Sequence, residues 1–290
     1  MRVHTIAWMV VGMGVVMLGE ARPRAAEEPA EQVEVLDGST EAVPDDATWD
    51  ALLWRYVDAG LVDYEGLKQK ERSQVDAYVA GLNRVDVSRL PSREAQLAFW
   101  INAYNACVVQ GVLDVAPTKS VKEINGFFDK IEHQVAGKPM TLNEIEAKAR
   151  ALKDWRVHMA LVCAASSCPF LRSEAYAADR LSDQLSDQAS EFLADPERGL
   201  RVDASAGVLW VSKIFKWYAK DIVPQGTLTP ETLVPVLEPY LDPLIVKTLQ
   251  AQPLTVQFFD YDWTLNSQAL AEQHEEDAES LHRNFASRNF

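Results

Sequence analysis

Residues 156–171, RVHMALVCAASSCPFL, gather the side chains best suited to chemistry. They include His158, one of two histidines between the N-terminal leader and the polar tail, and Cys163 and Cys168, two of the chain's three cysteines. A cysteine attacks as its thiolate, so whatever lowers its pKa decides its use. Residues 157–162 form an apolar run of strand length, and residues 164–167 are small and turn-like. Pro169 suits the first position of a helix, where no backbone N–H is needed. That pattern places Cys168 at a helix N-cap, where free N–H groups and the helix dipole favour a thiolate. In a strand, alternate side chains share a face, so Val157, Met159, Leu161 and Cys163 oppose His158, Ala160 and Val162. His158 therefore pairs better with Cys168, returned by the loop, than with Cys163.

Three uses of this stretch are open. The first is a thiol centre acting on an amide or thioester, with Cys168 as nucleophile and His158 as base. Asn102 or Asn105 would orient the imidazole, and nearby N–H groups would hold an oxyanion. The second is a Cys163–Cys168 disulfide that pins the loop, and the third a pair of reduced thiols packed in a core. A zinc site would need a fourth ligand, and the gaps between His158, Cys163 and Cys168 fit no common arrangement. No metal or cofactor is expected. A glycine-rich phosphate loop, a Gly-x-Ser-x-Gly elbow and a His-Glu-x-x-His motif are all absent from the sequence.

The elements that must position these groups follow from periodicity. Residues 92–113 predict the strongest helix: Ser92 can cap it, Pro117 ends it, and its middle is apolar nearly all round. It should be a central buried helix, with Phe99, Trp100 and Tyr104 packed on a sheet. Asn102 and Asn105 share a face of it, either as satisfied core amides or as functional groups. Thr141 and Glu144 form a capping-box pattern that opens a second helix, and residues 179–194 are amphipathic. Residues 135–140 look like a turn, residues 200–211 like a hairpin, and residues 254–265 like a strand. His133 sits in a polar turn region and reads as solvated. Phe215, Trp217 and Tyr218 read as a core plug, with Lys213, Lys216 and Lys220 facing outwards. Asp260 and Asp262 fit the solvent side of the strand as well as they fit a site. The fold class is α+β, with helices around a small, mostly antiparallel sheet.

The chain has 290 residues, 48% hydrophobic and 24% charged, an ordinary globular balance. Its net charge of −15 argues against nucleic acid and anionic lipid as partners. Residues 1–21 resemble a secretory signal: Arg2, a short apolar run, then Gly19-Glu20-Ala21 before a cleavage point. Export to the periplasm or the exterior is expected, with no stable membrane span after cleavage; the alternative reading of the same residues is an uncleaved N-terminal anchor. Three cysteines would then leave at least one unpaired. Residues 22–48 read as an acidic linker, 49–266 as a single domain, and 267–290 as a polar tail.

Five separated stretches carry a resemblance: LPSREAQLAFWINAYNA, TLNEIE, RVHMALVCAASSCPFL, SKIFKWYAKDI and YDWTLN. Together, over about residues 49–266, they resemble the bacterial family called domain of unknown function 547. Many members carry a histidine directly after the Ile-Glu of the TLNEIE stretch, where this chain has Ala147. That departure favours a binding or scaffolding module, with a protein, peptide or small-molecule partner, over a thiol enzyme. The order of central helix and histidine-bearing strand is loosely similar to papain-like and transglutaminase-like folds. Those folds start the central helix with the nucleophilic cysteine, whereas this helix starts Ser92-Arg93-Glu94.

Overall fold

A computed structural model describes residues 46–273. The expected leader, almost all of the linker and most of the tail lie outside the described residues. The helices are α1 (Asp46–Tyr56), α2 (Tyr64–Gly66), α3 (Arg72–Leu82), α4 (Arg93–Val115), α5 (Leu142–Ala151) and α6 (Leu181–Ala194). They continue with α7 (Lys213–Trp217), α8 (Ala219–Ile222), α9 (Pro230–Leu237) and α10 (Pro243–Ala251). The strands are short: β1 (Val57–Asp58), β2 (Leu61–Val62), β3 (Glu132–Val135), β4 (Lys138–Thr141), β5 (Leu200–Asp203), β6 (Val208–Val211) and β7 (Thr255–Phe258). This is an α+β fold in which helix dominates.

α4 is the central buried helix. The Ser92 hydroxyl accepts from the Ala95 N–H at 3.1 Å and starts it. Ala116 is extended ahead of Pro117 and stops it. Every residue from 97 to 109 is buried. The expected sheet beneath α4 is not there: its main neighbours are α3 and α5. Strands of two to four residues, gathered in three separate small sheets, cannot floor a 23-residue helix. α5 begins with the predicted capping box, Thr141 and Glu144 exchanging both bonds. It turns Leu142, Ile145 and Ala149 inwards.

β1–β2 and β3–β4 are antiparallel hairpins, while β6 pairs antiparallel with β5 and parallel with β7. Ala136 and Gly137, both at positive φ, turn β3 into β4. His133, expected in solvent, is buried on the inner side of β3 opposite Met140. Around β5–β7 a second apolar cluster forms, with Phe192, Leu209, Phe215, Leu233 and Leu237 at its centre. Beyond the last strand, Asn266 and Ser267 are also buried, and residues 268–273 are helical.

The largest departure from expectation lies in residues 156–171. Residues 157–162 are not a strand: 155–159 make a 3₁₀ turn, and the chain then continues as irregular backbone without a ladder partner. The side chain of Asn105 replaces that ladder, donating to the Ala160 carbonyl at 3.0 Å and accepting from the Val162 N–H at 2.9 Å. Nor does Pro169 open a helix, so Cys168 is not an N-cap; helix resumes only at Leu181. The intervening backbone is held by side chains instead. Asn102 both donates to and accepts from Tyr176, Gln184 does the same across Ala175 and Ala177, and Asp50 accepts from the Ala175 N–H. Tertiary partners have overridden an apolar run that local pattern alone reads as a strand.

Candidate functional site

A cavity of about 230 Å³ is lined by side chains from six separated parts of the chain, Phe128 between α4 and β3 among them. α4 contributes Tyr104; α5 contributes Asn143 and Glu146; the 3₁₀ turn contributes His158. Cys163 and Cys168 come from the loop after it, Trp217 and Tyr218 from α7 and its end, and Tyr261 and Trp263 from the segment after β7. One wall is aromatic. The rings of Trp217 and Tyr261 are 4.7 Å apart, those of Tyr261 and Trp263 4.8 Å, and those of Trp217 and Trp263 6.1 Å. Trp217 keeps 48% of its surface in solvent, a large value for a tryptophan beside a cavity.

The opposite wall is polar and internally connected. His158 Nε2 lies 3.0 Å from Asp221 Oδ2, and that same oxygen accepts from Arg150 Nε at 2.7 Å. Arg150 also reaches Glu146 at 3.4 Å, one helical turn back along α5. Tyr218 stacks on the imidazole with ring centres 3.9 Å apart and donates its hydroxyl proton to Glu146. Burial pulls the His158 imidazole down to about 4, and Asp221 only partly opposes that. The ring is therefore neutral near pH 7. Since a carboxylate can only accept, the proton sits on Nε2 and Nδ1 keeps its lone pair. Burial acts to raise Asp221, yet the bonds from Arg150 and His158 hold it below the ordinary carboxylate range. Glu146 goes the other way: burial raises it, outweighing Tyr218 and Arg150. Two carboxylates on one network are thus pushed apart in acidity, a common arrangement where protons are handled.

Cys163 and Cys168 are joined in a disulfide that forms part of the cavity wall. Cys168 is buried and Cys163 half-buried. The third cysteine, Cys107, is free and buried in α4, where burial raises its thiol pKa.

Of the residues singled out from sequence, His158, Cys163 and Cys168 meet at this cavity. Asn102 and Asn105 do not; both are spent on backbone groups, and the group bonded to the imidazole is Asp221. The aromatic run is not a single plug. Phe215 is fully buried, but Trp217 and Tyr218 face the cavity. Lys220 and Lys216 are exposed as expected, and Lys213 pairs with Asp260 at 3.0 Å. Sequence reasoning passed over Glu146, Arg150, Asp221, Tyr218, Tyr261 and Trp263 as functional groups. Ala147 is exposed and outside the lining; Glu146 is the α5 side chain that enters the cavity. Among the described residues, no group of three or more His, Cys, Asp or Glu side chains is placed to hold a metal ion. No described helix is long and apolar enough to cross a membrane.

The stretch from 87 to 193 matches a family model described as "Protein of unknown function, DUF547". No curated protein and no solved structure matches the chain. The DUF547 stretch supplies Tyr104, Asn143, Glu146, His158 and the disulfide, which is the polar wall without its anchor. Trp217, Tyr218, Tyr261 and Trp263 come from beyond its C-terminal limit and complete the cavity, and Asp221, also beyond that limit, bonds the His158 imidazole.

Proposed function

We propose that the chain is a binding module, exported from the cytoplasm, that takes a small ligand in the Tyr104–Trp263 cavity. The observation that carries this reading is the division of the cavity into an aromatic wall and a polar one, built from six separated segments. Concave, largely apolar sites with a few convergent polar groups are where small molecules bind. The aromatic wall suits a flat apolar face, and the rings of Trp217 and Tyr261 offer it at low entropic cost. Glu146 is an acceptor on the opposite wall, so the ligand presents a hydrogen-bond donor such as an amine or hydroxyl. The leader pattern of residues 1–21 and the intramolecular disulfide both support an oxidising compartment.

Tyramine, which combines a flat ring with an amine and a hydroxyl, is a suitable probe in isothermal titration calorimetry alongside phenol and benzylamine. At least one of the three should bind, and Trp217→Ala should weaken it about tenfold. Binding by none of them, or equal binding to Leu161→Trp, whose added bulk fills the cavity, overturns the reading. A thiol enzyme using Cys168 and His158 is the second reading. Its support is that both residues line one cavity, although in this structure the Cys168 sulfur is bonded to Cys163.

A further inference from the structure

The Cys163–Cys168 bridge closes a loop of only a few residues, and little of the fold depends on it. The entropy a disulfide removes from the unfolded chain grows with the loop it closes, so a bridge with a sequence separation of 5 stabilises least. The loop is also held without it. Ser166 and Ser167 donate their N–H groups to the Thr264 and Asp262 carbonyls, at 2.7 and 3.2 Å. The Asn266 N–H donates to the Ala164 carbonyl at 3.1 Å, and the Asp262 N–H to the Ser167 hydroxyl at 2.8 Å. Ala164, between the two cysteines, holds a left-handed backbone at φ 61°, a strained conformation for alanine that the surrounding bonds fix. A bridge that the fold can do without, set in the wall of a cavity, invites another use.

The two sulfurs are unlike. Cys163 is half-buried, while Cys168 lies beneath the surface with two donors aimed at it. The backbone N–H of Cys163 is 3.0 Å from Cys168 Sγ, and the Tyr261 hydroxyl is 3.1 Å from Cys168 Sγ and 3.2 Å from Cys163 Sγ, so burial and the N–H set the two sulfurs apart. Burial raises the Tyr261 pKa, so this hydroxyl keeps its proton and serves as a donor at neutral pH. Hydrogen bonds to a charged sulfur are the strong kind, and a leaving thiol departs faster as its pKa falls.

We propose that the Cys163–Cys168 disulfide is a thiol–disulfide exchange centre for a small-molecule thiol admitted by the cavity. The incoming thiol gives its proton to solvent, and its thiolate attacks Cys163 Sγ in line with the bridge. The bond between the two protein sulfurs breaks, and its electron pair goes to Cys168 Sγ, held as a thiolate by the Tyr261 hydroxyl and the Cys163 N–H. The product is a mixed disulfide on Cys163. A second molecule of the same thiol attacks the bound thiol's sulfur, releasing the small-molecule disulfide and leaving Cys163 reduced. The protein gains two electrons and two thiol molecules lose one each. In reverse, the protein dithiol reduces the small disulfide. This goes beyond ligand binding and does not require it, since tyramine, phenol and benzylamine carry no sulfur.

Cysteamine and its disulfide, cystamine, test the proposal on the full chain. In native buffer the bridge should open and reclose with the cysteamine-to-cystamine ratio, followed by acid quench, alkylation and peptide mass mapping, while the far-UV circular dichroism stays constant. Opening only in proportion to added denaturant overturns the proposal, because the bridge is then a buried staple. The order of attack is read separately. Cys168→Ala with cystamine should give an adduct on Cys163, at least tenfold faster than Cys163→Ala gives one on Cys168. The reverse order, or equal rates, overturns the assignment of the attacked sulfur. Tyr261→Phe should slow opening of the wild-type bridge several-fold, and an unchanged rate removes Tyr261 from the step.

Discussion

Two regions of this molecule hold polar side chains in its interior, and they use them in opposite ways. In the middle of α4, Asn102 and Asn105 each place an amide between the donor and acceptor of one backbone segment, Tyr176 for the first and Ala160–Val162 for the second. Both amides are spent on the backbone. At the cavity, Glu146, His158, Asp221, Arg150 and Tyr218 bond one another, and their acidities are displaced in different directions. The difference teaches that burial of a polar residue is not itself a mark of function. An asparagine that saturates irregular backbone is a substitute for secondary structure; a titratable group paired only with other side chains at a cavity can still exchange protons or partners.

The sharpest way to break that comparison is to remove one α4 amide. Asn105→Ala leaves the Ala160 carbonyl and the Val162 N–H both buried without a partner. At about 1–3 kcal/mol for each orphaned group, the loss of folding stability should be about 4 kcal/mol. Urea unfolding followed by circular dichroism measures it directly. A loss below about 1 kcal/mol would mean that water or a shift of the 160–162 segment replaces the amide, and that Asn105 is not what shapes this stretch.

The sequence made the amide positions visible but not their purpose. Asn102 and Asn105 stand out because they interrupt an apolar surface, and Ser92, Thr141 and Glu144 because capping has a local signature. The conformation of residues 157–162 was hidden because Ala160 and Val162 are satisfied by Asn105, 55 and 57 residues away, which no local period encodes. His158, Cys163 and Cys168 could be picked out by rarity and clustering. Asp221 is an ordinary acid on a helix of four residues, and only the folded chain brings it to the imidazole across 63 positions. One signal was available in retrospect. All five stretches that carried the family resemblance deliver a residue to the cavity or its polar network: Tyr104, Glu146, His158, Asp221 and Tyr261.

On the cavity side, the next largest effect concerns His158. Its imidazole is neutral in the folded protein down to about pH 4, whereas in the unfolded chain it takes up a proton near 6.5. The unfolded state therefore binds more protons between those values, and stability falls as pH falls through that window. Above 6.5 the contribution is fully present; by pH 4 about 3 kcal/mol has been lost. The expected readout is a drop in urea midpoint from pH 7 to pH 4 that is shallower in His158→Gln than in wild type. Parallel curves for the two proteins would show that the imidazole is not held neutral.

The smallest effect is the most discriminating, because its sign opposes the other two. Burial raises the Glu146 pKa in the folded protein above its ordinary value, so the unfolded state loses this proton first as pH rises. Stability contributed by the protonated carboxyl is present at low pH and is lost as pH rises through the folded value, the reverse of the His158 profile. Glu146→Gln keeps the shape and an oxygen to accept from Tyr218, and it removes the carboxylate that burial disfavours. It also removes the pairing with Arg150, whose side chain is about one-third exposed, and such pairs contribute little. Near pH 8 the variant should be as stable as wild type or more stable by about 0.5–1 kcal/mol. Towards pH 4 that advantage should vanish, because wild-type Glu146 is then protonated and equally uncharged. A polar group placed for folding, as Asn105 is, costs stability when removed; one retained for what the cavity does costs none. A loss of more than about 1 kcal/mol at pH 8 would place Glu146 with the α4 asparagines and leave His158 and Asp221 as the cavity's own polar pair.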